Sequence, residues 1–176
     1  MIRCQKKTAE MKEVYRMKEE LHQLLETCIT NGSEADLSSL AYLLDGFNQK
    51  IKSKSITYID GLLQMDRKFD GNTCEITIPL HPILNNNLDI VHGGITATVL
   101  DTTMGSLANY FSPEGFGAVT SQLNIHYIAP GIGETLRCKA DIVHKGTKTM
   151  VISGEAYRSD GKQIAYATGT FFIISK

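Results

Sequence analysis

An excess of one charge is missing: 18 Lys/Arg stand against 19 Asp/Glu in 176 residues, a formal net charge of −1. Nothing global therefore draws the chain to nucleic acid or to anionic lipid. No apolar run approaches the roughly 18 residues that a bilayer-spanning helix needs. The opening Met1-Ile2-Arg3-Cys4-Gln5-Lys6-Lys7 leads into mixed charge without an apolar stretch, so no signal peptide is expected. Cys4, Cys28, Cys74 and Cys138 form no C-x-x-C pair and read as free thiols of a reducing compartment. The five histidines lack H-E-x-x-H or similar ligand spacing, so no metal is expected. These absences predict a cytoplasmic protein with no nucleic-acid and no membrane partner.

What is present is ordinary globular composition, 42% hydrophobic and 21% charged, which excludes a disordered chain. The length suits one domain plus an extension. Val14, Met17, Leu21, Leu24 and Cys28 recur every three to four residues, an apolar stripe on one helix face. Asn31-Gly32 suits a helix stop, and Ser33 with Asp36 resembles a capping box. A second stripe follows in Leu37, Leu40, Ala41, Leu44, Phe47 and Ile51. The reading is a helical hairpin over 1–55 that packs on the main domain or on another subunit. A DNA-reading helix-turn-helix fits poorly. Residues 1–57 hold nine basic against eight acidic side chains (9 − 8 = +1), and no basic cluster opens the second helix.

From residue 56 the period becomes two. Residues 56–69 are expected to form a first strand, with a turn at Asp70-Gly71-Asn72. Cys74, Ile76, Ile78 and Leu80 alternate with polar residues as a half-buried strand. Residues 93–111 turn helical, with Leu100, Met104, Leu107 and Phe111 on one face. Alternation then resumes. Val119, Leu123, Ile125 and Tyr127 are expected on one side, and Thr120, Gln122, Asn124 and His126 on the other. Strands around Leu136–Ile142, 149–158 and 163–174 follow. Short links of this kind favour an α+β fold, an antiparallel sheet of about five to six strands wrapped around one long helix in residues 56–176.

The segment Asn86-Asn87-Leu88-Asp89-Ile90-Val91-His92-Gly93-Gly94, with Asp101 seven residues after the second glycine, resembles the signature of the PaaI-type hotdog acyl-CoA thioesterases. Val119–Tyr127, the Ala129-Pro130-Gly131 bend, Val143–Thr149 and Asp160–Phe171 resemble the family's later strand motifs in order, so the likeness spans about 56–174. It implies a hotdog fold, a homodimer or homotetramer with sites at the subunit interface, and an acyl-CoA substrate with no other cofactor. By resemblance the catalytic carboxylate falls on Asp101 and the donor to the thioester carbonyl on the Gly93 amide. Asn86 and His92 match supporting polar positions, Thr120 a hydroxyl that places water, and Pro130 the bend beside the substrate. The helices of residues 1–52 depart from the minimal members.

The chemistry suits these residue types. A carbonyl under attack develops charge on oxygen, and free N–H groups at a helix start supply fixed donors. Gly93 and Gly94 let substrate reach that backbone without a Cβ in the way. Asp101 sits on a strip of small residues (Ala97, Gly105, Ala108), where it can lose part of its hydration and serve as base or nucleophile. Eight residues at ~1.5 Å rise separate Gly93 from Asp101 by ~12 Å, too far for one thioester to touch both. If both act on one carbonyl, they come from different subunits. Lys145 and Lys148 flank Gly146 in a hairpin as candidate donors to the phosphates of coenzyme A. Each residue also has a plain role: Asp101 as a solvated helix carboxylate, His92 as a cap, Thr120 as an ordinary strand residue. A non-catalytic acyl-CoA sensor whose N-terminal helices transmit the signal is the alternative function. A hydratase fits less well, because His81-Pro82 lacks the Gly-His-Phe-Pro context, and a structural scaffold fits least.

Overall fold

The structure is a computed structural model that describes residues 2–52, 54 and 57–176, with side chains from residue 11 onward. The division expected between 55 and 56 falls outside the described residues. Two compact units are present, Met1–Leu44 and Asp45–Lys176.

In the first unit, helix α1 (Ile2–Asn31) stops at the expected Asn31 and α2 (Glu34–Ile51) starts three residues later. The capping box forms. Asp36 N donates to Ser33 Oγ at 3.3 Å, and Ser33 N and Oγ donate to Asp36 Oδ2 at 3.0 and 2.6 Å. The Ser33 hydroxyl, and then its amide, hold the Asp36 carboxyl below the usual carboxylate range.

In the second unit, the last turns of α2 meet a short helix, α3 (Tyr58–Leu62), backbone to backbone. A Cβ on Gly46 would lie 2.5 Å from Gly61 O, and one on Gly61 2.5 Å from Gly46 O, so only glycines allow this approach. Phe47 stacks on Tyr58 at 5.3 Å beside them. The expected strand over 56–69 is thus corrected. Only β1 (Asp66–Asp70) is extended, and α3 occupies the start. The cause is local: Thr57 caps α3, with Asp60 N donating to Thr57 Oγ1 at 3.1 Å and Thr57 N to Asp60 Oδ2 at 2.8 Å. Asp60 is buried, and Arg67 Nη2 donates to its Oδ1 at 2.6 Å.

The remaining strands are β2 (Thr73–Pro79), β3 (Phe116–Tyr127), β4 (Thr135–Lys145), β5 (Thr149–Arg158) and β6 (Gln163–Ser175). They form a six-stranded antiparallel sheet in the order β1-β2-β4-β5-β6-β3. The long helix α4 (Gly93–Tyr110) lies against one face. Its Leu100, Met104 and Leu107 are fully buried among Ile76, Ile78, Cys138, Ile152 and Phe171, while Phe111 is only partly covered. Among the described residues no helix is long and apolar enough to cross a membrane.

The alternation expected in β3 breaks at a bulge. Thr120 pairs with Phe171 and Gln122 with Thr170, leaving Ser121 extra. The phase therefore resets. Val119 points away from the helix and stays exposed, whereas Ala118 and Thr120 share the helix-facing side with Leu123 and Ile125.

Burial pushes the Cys74 thiol up to about 11, and Cys138 higher still, while Cys28 is exposed. Native protein is expected to withhold Cys74 and Cys138 from a maleimide until it is unfolded. Folding keeps Cys74 protonated, so its contribution to stability is complete below pH 9.0 and declines as pH rises toward about 11. Melting curves across that range, with Cys74→Val as control, check the sign.

Candidate active site

The start of α4 is set by His92, whose Nδ1 accepts from Gly94 N at 2.9 Å. With Nδ1 acting as acceptor, the ring proton of a neutral imidazole resides on Nε2. The Gly93 amide has no acceptor among the described residues, so it stands open at the positive end of the helix. Tyr127 Oη donates to Gly93 O at 2.7 Å and ties the first helical residue to the end of β3. Burial pushes that phenol up from its ordinary value.

Two turns further along α4, Asp101 Oδ1 accepts from Thr120 Oγ1 at 2.8 Å. The β3 bulge makes this contact, because it turns Thr120 toward the helix. Asp101 and Thr120 line a cleft of about 670 Å³ with Thr102, Gly105 and Ser106. The same cleft is lined by Phe69 and Tyr110, stacked at 4.7 Å, and by the Asp60–Arg67 pair.

Gly93 opens elsewhere. It lines a separate cleft of about 420 Å³ with Asn86, Ile90, Tyr127 and Pro130. Asn86 serves its own loop there: its Oδ1 accepts from Leu88 N at 2.8 Å, and its N donates to Ile90 O at 2.8 Å. One chain thus holds an amide donor and a carboxylate on different clefts. It brings together Asp101 with Thr120, and Gly93 with His92, Gly94, Asn86 and Pro130.

It does not bring the hairpin basic groups to either cleft. Lys145 Nζ lies 4.8 Å over the Phe111 ring, Lys148 is exposed, and Gly146 N closes the β4–β5 turn by donating to Thr149 O at 2.9 Å. Two features are not evident from the sequence pattern. Alternation places Tyr127 only on a strand face. It also draws Thr57, Asp60 and Arg67 into a strand, although Thr57 and Asp60 repeat the spacing of Ser33 and Asp36.

Comparison with known proteins agrees with this architecture. The family model described as "Thioesterase superfamily" matches residues 88–165, from the loop before α4 into β6. The BH2602 protein from Bacillus halodurans, solved with CoA, is 40% identical, with TM-score 0.80, over 86% of this chain and 99% of that one. The smu.793 protein from Streptococcus mutans, bound to acetyl CoA, is 29% identical with TM-score 0.58, over 64% of this chain and 90% of its own. The PaaI protein of the E. coli phenylacetic acid degradation operon shares the fold at 22% identity and TM-score 0.64, covering 76% and 96%. The sheet wrapped on α4, the His92-Gly93-Gly94 helix start and these relatives agree: the chain belongs to the thioesterase superfamily of hotdog fold and is a thioester hydrolase.

Proposed function

We propose that this hydrolase cleaves acyl-CoA thioesters in a homodimer, with each site built from the Gly93 of one protomer and the partner's Asp101. The observation that carries the reading is the separation of these two groups onto different clefts of one chain. Their spacing of ~12 Å along a single helix prevents one carbonyl from meeting both. A two-fold pairing resolves this, since it presents each cleft to its complement. β3 ends the sheet in this chain, and its outer edge is free to pair with a second β3. The relatives solved with CoA and acetyl CoA support the thioester class.

In this arrangement the Gly93 N–H donates to the carbonyl oxygen as negative charge develops there. The Thr120 hydroxyl holds Asp101 Oδ1 in place. Asp101 either takes the proton of the attacking water and passes it to the coenzyme thiolate as the C–S bond breaks, or attacks the carbonyl itself, expelling the thiolate and leaving a mixed anhydride that water opens to the free acid and the Asp101 carboxylate. His92 fixes the helix start, Gly94 keeps the approach open, and Pro130 and Asn86 shape the entry. Lys145, Gly146 and Lys148 meet the nucleotide end, and no cofactor beyond the substrate is required.

Subunit mixing tests the shared site. Gly93→Pro deletes the donor at a position where proline suits a first helical turn, and His92 already has the extended backbone (φ −59°, ψ 133°) that precedes proline. Gly93→Pro and Asp101→Asn homodimers are each expected to be inactive. An exchanged 1:1 mixture should recover about a quarter of wild-type activity, because half the dimers carry one intact site of two. Proven exchange without recovery removes the shared site.

A further inference from the structure

The apolar stripe of α1 is uncovered. Val14, Met17, Leu21 and Leu24 are 51%, 62%, 56% and 64% exposed, and Cys28 is exposed as well. Their spacing is 3-4-3-4, a strict 3.5-residue repeat, which is the a/d seam of a left-handed coiled coil and not the broader face of a helix lying on a globular core. With Val14, Leu21 and Cys28 at a, Met17 and Leu24 occupy d. The flanks then show complementary charge, Glu13 at g and Lys18 at e. Neither has an ion-pair partner among the described residues, whereas Glu20 is already engaged by Arg16 at 3.5 Å. In a parallel in-register pair, g meets the e position five residues on, so Glu13 faces Lys18 of the partner subunit on both sides of the seam. Antiparallel pairing sets g against g and e against e, glutamate near glutamate.

We propose that α1 pairs with the α1 of a second copy of this chain as a parallel, in-register coiled coil over residues 14–28. The seam is short, about 21 Å at 1.5 Å per residue, and marginal for two free helices. Attachment to a domain that itself pairs raises the effective concentration of the two strands. That last point rests on the dimer proposed above, while the register and charge argument does not.

Cys28 supplies the test. A parallel register brings the two Cys28 side chains across one a layer, whereas an antiparallel one holds them at opposite ends of the seam. In full-length Cys4→Ser protein, mild diamide oxidation is expected to give mostly a Cys28–Cys28 linked dimer on a non-reducing gel. Leu21→Lys/Leu24→Lys should cut that yield at least tenfold, with an unchanged melting midpoint of the remaining chain as the folding control. Glu13→Lys and Lys18→Glu should each lower it severalfold, and their combination should restore it. A yield indifferent to the seam change, or a combination that does not restore it, overturns the pairing. So does a Cys28 that labels readily but never links to its counterpart. Because the readout is a covalent bond and not turnover, it stands whether or not acyl-CoA is the substrate.

Discussion

Asp101→Asn is expected to lower kcat by roughly 10²–10⁴-fold, the range typical of a lost general base, with little change in KM. Asparagine keeps the shape and the contact with Thr120, so the loss reports the carboxylate and not the packing. Thr120→Val should cost less. A hydrogen bond to a charged group contributes about 1.5–3 kcal/mol, which is roughly tenfold to a little over a hundredfold in rate. In the proposed mechanism Thr120 acts on the water only through Asp101, to which it donates at 2.8 Å. The double variant should therefore be no slower than Asp101→Asn alone. Thiol release across aryl, short, medium and long acyl-CoAs measures all three variants. Turnover that survives Asp101→Asn takes this residue out of the mechanism.

The second large effect is on stability. Arg67→Ala is expected to destabilise the chain by about 3 kcal/mol, the lower end of the range for breaking a buried ion pair. The lower end applies because Asp60 keeps two donors when the guanidinium is gone, Thr57 N at 2.8 Å and Thr57 Oγ1 at 2.6 Å. The side chains of Arg67 and Asp60 are only 15% and 5% exposed, so water replaces little of what is lost. Asp60→Asn/Arg67→Met, which removes both charges, should recover most of the stability. Urea unfolding with an unchanged slope is the measurement. A loss in the single variant below about 0.5 kcal/mol, the usual scale of surface changes, would show that the pair does not hold α3 in place.

Much of the hotdog domain was legible in order of residues. Cys74, Ile76 and Ile78 alternate because the pleat sends every second side chain inward, and all three are fully buried. Leu100, Met104 and Leu107 keep helical spacing because α4 buries one stripe on the sheet. α3 was not legible by period, since five residues are too few to show one, and its capping pair is masked by the strand-like residues that follow. Thr120 fell on the wrong face because an alternation count cannot see which residue a ladder leaves unpaired. The candidate site was legible through the His-Gly-Gly…Asp spacing, and helix rise separates its Gly93 from its Asp101. Tyr127 was not, because its contact with Gly93 O spans 34 positions in sequence. The places of Lys145 and Lys148 depend on what a second chain brings near them.

Ser121 has a consequence of its own. Three positions separate Thr120 from Leu123, an odd number that an unbroken ladder would send to opposite faces. The unpaired serine absorbs one of them, so the hydroxyl that meets the aspartate and the apolar residues of the interior share a side. Straightening the strand with every residue kept would put either Leu123 and Ile125 or Thr120 into water, whereas excising Ser121 alone would leave both faces as they are.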